Sequence, residues 1–122
     1  MRSWEMTTLP GSMSAERLEA GWVLDLAGEY DLSCAPALAV ELRTMSGDGD
    51  ALVVDLTRVD FLDSTALQVL FEESAAHRSA GTFAVIAPER SWARRLIELT
   101  GFREAAPVFD DRASALAALA EG

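Results

Sequence analysis

Asp60, Asp63 and Ser64 are the residues whose types and spacing invite chemistry. They stand in the stretch Val59-Asp60-Phe61-Leu62-Asp63-Ser64-Thr65-Ala66-Leu67. A strand-like run, Ala51 to Leu56, precedes it, and an amphipathic helix begins at or near Ser64. A hydroxyl at such a boundary lies among backbone amides that lack intrahelical partners. The position suits a helix cap. It also suits a phosphate, because free amides and the helix dipole both favour negative charge. Asp60 and Asp63, three residues apart, either shape the turn and cap the helix or together bind magnesium or orient a hydroxyl. Asp31, in the polar segment Gly28-Glu29-Tyr30-Asp31, is a third carboxylate, read as a turn or capping residue. Thr65 shares the capping reading of Ser64.

Other signatures of catalysis are missing. Gly47-Asp48-Gly49 lacks the further glycine and the lysine of a phosphate-binding loop. No Gly-x-Ser-x-Gly elbow surrounds Ser64. Cys34 and His77 are too few for a structural zinc site, which takes four ligands. Cys34 reads as a small packing residue at a helix start and His77 as a surface residue late in a helix. Ser64 as a catalytic nucleophile lacks a placed histidine base. Trp92, Arg94 and Arg95 suggest a basic-aromatic surface, but the stronger reading puts Trp92 in an apolar stripe and the two arginines on a solvated face.

The elements that must position the Asp-Ser turn follow from hydropathy. Ser3 to Thr8 is a possible edge strand, Pro10-Gly11-Ser12 a turn, and Glu16 to Glu19 part of a second strand. In Trp22 to Ala27 the alternation of Trp22, Leu24 and Leu26 with Val23 and Asp25 predicts a strand with one buried face. Gly28 to Asp31 then forms a polar turn. Helix one starts near Ser33 or Cys34, capped by Ser33 or Asp31, with Pro36 in its first turn. Its stripe is Ala35, Leu38, Ala39, Leu42 and Met45. Ser46 to Asp50 is an exposed loop. Ala51 to Leu56 is apolar on both faces apart from Asp55, the mark of a central parallel strand. Helix two carries Leu67, Leu70, Phe71, Ala75 and Arg78 to about Ala80, and Gly81 stops it. Thr82 to Ala87 is another buried strand, ended by Pro88. Helix three, Glu89 to Thr100, places Trp92, Leu96 and Leu99 on one face and closes at Gly101-Phe102. Pro107 to Phe109 is a short last strand. Asp110 or Asp111 caps a final helix with Ala113, Leu116, Ala117 and Ala120 inward. The order of elements predicts an α/β domain: a mixed sheet of four to five strands, with about four helices packed mainly on one face.

Composition sets the outer bounds. The 122 residues fit one domain, spanning 1–122, with residues 1–13 outside a core of about 14–120. Half the residues are hydrophobic, enough for a core without staples, and the single cysteine excludes an internal disulfide. Twenty acidic residues against ten basic ones leave a net charge of −10. Such a surface repels phosphate backbones and anionic membranes, so neither nucleic acid nor membrane insertion is expected. Residues Met1 to Ser12 do not resemble a signal peptide, and no apolar run approaches the roughly 20 residues of a membrane span. A cytoplasmic protein is expected.

The stretch Asp55 to Leu67 resembles the STAS domain family, most of all its bacterial anti-sigma factor antagonists. That family shows an aspartate-leucine strand end and a hydrophobic-aspartate-serine turn, followed by serine or threonine, glycine and leucine. Gly28-Glu29-Tyr30-Asp31 with Ala35-Pro36-Ala37-Leu38, Leu96 to Phe102, and Phe109 to Leu119 are similar in order and spacing, so the resemblance covers about 14–120. It implies that Ser64 is the phosphoacceptor, with Thr65 second to it, and that Asp31, Asp60, Asp63, Ser64, Thr65 and Ala66 meet the partner. That partner is an anti-sigma factor that is itself a serine kinase of the histidine-kinase-like ATPase type. The unphosphorylated antagonist binds it and indirectly releases a sigma factor. The protein would be no enzyme and would hold no cofactor; ATP and magnesium belong to the kinase. Ala66 stands where the family usually has glycine. Its methyl favours the helix slightly and would stand in the path of an approaching partner backbone. The alternative within the family is a STAS adaptor subunit of a lipid-transport ATPase complex, binding without switching.

Overall fold

In the computed structural model the described residues are 3–8, 11–19, 21–45, 51–77, 83–101 and 106–121. In chain order the elements are β1 (Ser3–Thr8), β2 (Gly11–Arg17), β3 (Gly21–Tyr30), α1 (Ala35–Met45) and β4 (Ala51–Leu62). There follow α2 (Ser64–His77), β5 (Phe83–Ile86), α3 (Trp92–Thr100), β6 (Val108–Phe109) and α4 (Arg112–Glu121). The strands form one sheet in the order β1-β2-β3-β4-β5-β6. The first three are antiparallel and the rest parallel. This is the mixed α/β architecture with four helices that the sequence predicts. The possible edge strand at Ser3–Thr8 and the short last strand both pair, so among the described residues the sheet has six strands rather than four to five.

The sheet has two unequal cores because β4 sends successive side chains to opposite faces. Leu52, Val54 and Leu56 join Leu24, Leu26, Tyr30, Leu38, Leu42, Leu67, Leu70 and Ile97 in the larger one, beneath α1, α2 and α3. Val53 joins Val23, Ala84, Ile86 and Ala115 in the smaller one, beneath α4. Three helices therefore share a face, as right-handed crossovers require. α4 follows the last strand with no crossover to make, and it covers the other face. That cover explains why Val23, expected on an open face, is buried.

A charged cluster fastens α4 to the sheet. Arg112, its first residue, reaches Asp55 at 3.2 Å, Glu16 at 3.4 Å and Asp25 at 3.5 Å. Asp111 accepts from the Ser114 amide at 2.8 Å and caps the helix. The Asp111 carboxyl is held below its ordinary value by Ser114, first through that amide.

Several expected helix faces are rotated. In α2 the buried residues include Glu73, Ser74 and His77, while Ala75 is exposed. His77, expected at the surface, is fully buried, with Phe83 edge-on at 6.0 Å. In α3 the inward pair is Ala93 and Ile97, whereas Trp92 and Leu99 are exposed. The Ser91 hydroxyl accepts from the Arg94 amide at 3.1 Å and sets where the helix starts. That start puts positions four apart, 93 and 97, against the sheet. Arg94, expected in solvent, is buried and bonds Asp110 at 2.7 Å. In α4 Ala115, Leu116 and Leu119 face inward, while Ala113 and Ala117 are exposed. Loop 46–50, Pro10, Arg78 to Thr82 and Phe102 lie outside the described residues, and the Ala120 side chain is likewise not described.

The expected turn at Gly28 to Asp31 is instead the end of a ten-residue strand. Gly28 has φ +88°, a value open to glycine at little cost, and the β3–β4 register shifts beside it. The bulge lets β3 run on to Tyr30. Tyr30 is buried, and its hydroxyl donates to the carbonyl of Ser12. Burial pushes its phenol well above the ordinary value, with the nearby Cys34 and Asp25 acting in the same direction. A raised pKa gives stability that is complete below pH about 10, where the unfolded phenol ionises, and is lost as the pH rises toward the folded value. Urea titrations at pH 9 and pH 11 are expected to show lower stability at the higher pH. Tyr30→Phe is expected to flatten that slope.

Candidate functional site

The parallel register of β3 and β4 sets Tyr30 beside Leu62. The next residues, Asp31 and Asp63, therefore leave the sheet side by side, and the Asp63 amide donates to the Tyr30 carbonyl at 3.0 Å. Ligand sites of open α/β sheets lie at such carboxyl ends of parallel strands.

Asp31 shapes the turn that leads into α1, and Asp63 starts α2. Asp31 Oδ1 accepts from the Ser33 hydroxyl at 2.6 Å and the Ser33 amide at 2.8 Å. These bonds hold the Asp31 carboxyl below its ordinary value, the hydroxyl contributing most. A depressed carboxyl gives support that is present above the unfolded pKa and fades as the pH falls through the folded one. Asp63 Oδ1 accepts from the Ala66 amide at 3.0 Å, and the Asp63 carbonyl accepts from Leu67 at 3.1 Å. Asp63 is thus the cap of α2, a duty the sequence left open between it and Ser64. Ser64 becomes the first helical residue, and it is exposed. Asp63→Ala is expected to cost about 1 kcal/mol in urea unfolding, and Asp63→Asn much less, since asparagine caps equally well. Equal losses in the two variants would disprove the capping role.

The remaining expected site residues divide. Asp60 is exposed and occupies a bulge: Val59 pairs with Gly28 and Phe61 with Glu29, leaving Asp60 between. Thr65 is half-buried. Ala66 is fully buried in the large core. Its methyl is enclosed there, so the departure from glycine adds packing.

Two aromatic residues meet at this corner: Trp92, expected in an inward stripe, and Phe61, given no role by the sequence. Phe61 and Trp92 stack with centroids 6.2 Å apart and planes 19° from parallel. The Trp92 indole N–H donates to the Leu62 carbonyl at 3.3 Å. The available signal was the position of Trp92 directly after a serine cap, at the head of its helix. The corner thus presents an exposed hydroxyl, carboxylates at Asp31, Asp60 and Asp63, and an aromatic pair held in place. Ser64 has no histidine base at hand: His77 lies thirteen residues along α2, roughly 20 Å away at 1.5 Å per residue.

The family model described as "Mlab, STAS domain" matches residues 13–110. The chain belongs to the STAS domain family. The anti-sigma-F factor antagonist RsfB of Mycobacterium tuberculosis is 35% identical over 101 residues, covering 82% of each chain. The crystal structure of an anti-sigma factor antagonist from Mycobacterium paratuberculosis superposes with a TM-score of 0.77 at 31% identity, over 93% of this chain and 97% of that one. The unphosphorylated form of the anti-sigma factor antagonist SpoIIAA shares the fold, with a TM-score of 0.69 at 16% identity, over 90% of this chain and 98% of that one. Among the described residues no helix of this STAS domain is long and apolar enough to cross a membrane.

Proposed function

We propose that this STAS domain is a cytoplasmic anti-sigma factor antagonist that acts by partner switching, as one domain and without catalysis of its own. Its unphosphorylated form binds an anti-sigma factor that is also a serine kinase of the histidine-kinase-like ATPase type, and a sigma factor is released. Phosphorylation of Ser64 ends the binding. The observation that carries this reading is the division of labour at the α2 start. Asp63 does the capping, so the Ser64 hydroxyl stands exposed on the first helical turn. A phosphate there would lie near the positive end of the helix, so the domain tolerates it. The partner meets added bulk and about −1.5 to −2 charges beside Asp63 and Asp60. Asp31 and Thr65 complete the contact surface, with Thr65 the lesser acceptor. The 35% identity to an antagonist supports the same reading.

The test is phosphopeptide mapping of Asp63-Ser64-Thr65 in protein taken from its native cells during growth and stress. Phosphate on Ser64 that changes with condition is expected. A well-expressed chain whose Ser64 is never modified, co-purifying with a transport ATPase, would replace this reading by the non-switching adaptor.

A further inference from the structure

Every cation in this chain is an arginine, and most of those described are engaged within the chain. Arg43 pairs with Glu73, Arg58 with Asp25, Arg94 with Asp110, and Arg112 with Asp55. Arg17 lies over the Trp22 ring at 5.5 Å. Arg90 and Arg95 form no ion pair among the described residues. Both line one open groove of about 570 Å³, together with Glu89, Ser91, Trp92 and Glu98.

Trp92 is 47% exposed there, and Phe61, stacked on it, is 39% exposed. The bond from the indole to the Leu62 carbonyl fixes the ring before anything binds, so docking costs little side-chain entropy. Tryptophan and arginine are the residues that most often anchor protein interfaces. A guanidinium fork matches a carboxylate in two parallel bonds. Glu89 and Glu98 share the groove, so the occupant must set its carboxylates on the arginines and an apolar side chain on the indole; a plain polyanion would meet repulsion.

We propose that Arg90, Trp92, Arg95 and Phe61 form a docking surface for an acidic segment of a partner protein, one that carries an apolar side chain between its carboxylates. The proposal rests on the switch reading for the identity of that partner, the one that reads Ser64. It also deepens that reading. Trp92 is bonded to Leu62, two residues before Ser64, so an acidic segment seated on Trp92 lies close to where a phosphate would be placed. Like charges then oppose each other across the contact.

The test titrates the full ¹⁵N-labelled chain with two peptides, acetyl-DELFED-amide and acetyl-KRLFRK-amide. The acidic peptide is expected to move the Trp92 indole N–H signal, with affinity falling about tenfold or more in the Arg90→Glu, Arg95→Glu double variant. Neither arginine forms an ion pair among the described residues, so the double variant is expected to fold; its spectrum reports this directly. Trp92→Phe is expected to weaken binding while keeping the ring stack. A basic peptide binding as tightly at Trp92, or unchanged affinity in the arginine variant, would overturn the proposal. The titration involves neither kinase nor phosphate, so a Ser64 that is never phosphorylated in cells would sink the switch reading and leave this result standing.

Discussion

Ser64→Glu is expected to lower affinity for the anti-sigma partner about 100-fold, or roughly 2.7 kcal/mol, while the domain stays folded. Ser64 is exposed and does not cap its helix, so no side-chain bond among the described residues is lost in the exchange. A carboxylate at the first helical position is mildly favourable to the helix dipole. The melting temperature is therefore expected to stay level or rise slightly. On the proposed switch, the loss is expected at the interface, where a new charge beside Asp63 must be desolvated against the partner. Ser64→Ala is expected to keep most of the affinity and to abolish phosphorylation. Calorimetric titration of the three proteins against the kinase, with a thermal melt of each, separates the two effects. Unchanged binding by the glutamate variant would remove Ser64 from the mechanism, and lost binding with a collapsed melt would mean that the charge acts on the fold.

The largest effect on stability is expected at the opposite end of the same strand pair. Gly21 opens β3 and pairs with Ala51, which opens β4. A Cβ at position 21 would stand 2.0 Å from the Ala51 carbonyl oxygen and 2.7 Å from its backbone N and C. Those atoms belong to the ladder, so no side-chain rotation relieves the clash, and the two strands must separate where they begin. Overpacking against side chains costs about 1–3 kcal/mol; against backbone Gly21→Ala is expected to reach the upper end or exceed it. A melting temperature lower by about 10 °C or more follows for a domain of this size. Circular dichroism melts would measure it. A shift of under 2 °C or so would mean that β3 and β4 are farther apart at their starts.

Much of the scaffold was legible because its signals are local. The doubly apolar run at Leu52 to Leu56 marks a strand covered on both sides, and Leu38, Leu42 and Met45 mark the inner face of α1. The Asp-Ser turn was legible for the same reason. What could not be read depends on contacts distant in sequence. The burial of Val23 comes from α4, about ninety residues later in the chain. The phase of α3 is set by one hydroxyl at Ser91, and hydropathy alone favoured the larger Trp92 and Leu99 for its inner face. Gly28 looked like a turn because nothing local reveals that a neighbouring strand continues past it. At the site itself, Asp63 and Ser64 are adjacent and both are good caps, so only geometry assigns the duty. The Phe61–Trp92 stack joins residues thirty-one apart and leaves no periodic trace.

The sheet's spatial order is the chain's own order, from β1 to β6. No strand has to slip between two already paired. As the chain leaves the ribosome, each new strand can add to the outer edge of what is already built, and the larger core closes helix by helix behind it. The open edge advances with synthesis until β6 ends it and α4 turns back over the far face. Assembly of this domain can therefore keep pace with translation, and the corner that carries Ser64 is enclosed on both flanks only once β5 and α3 have emerged.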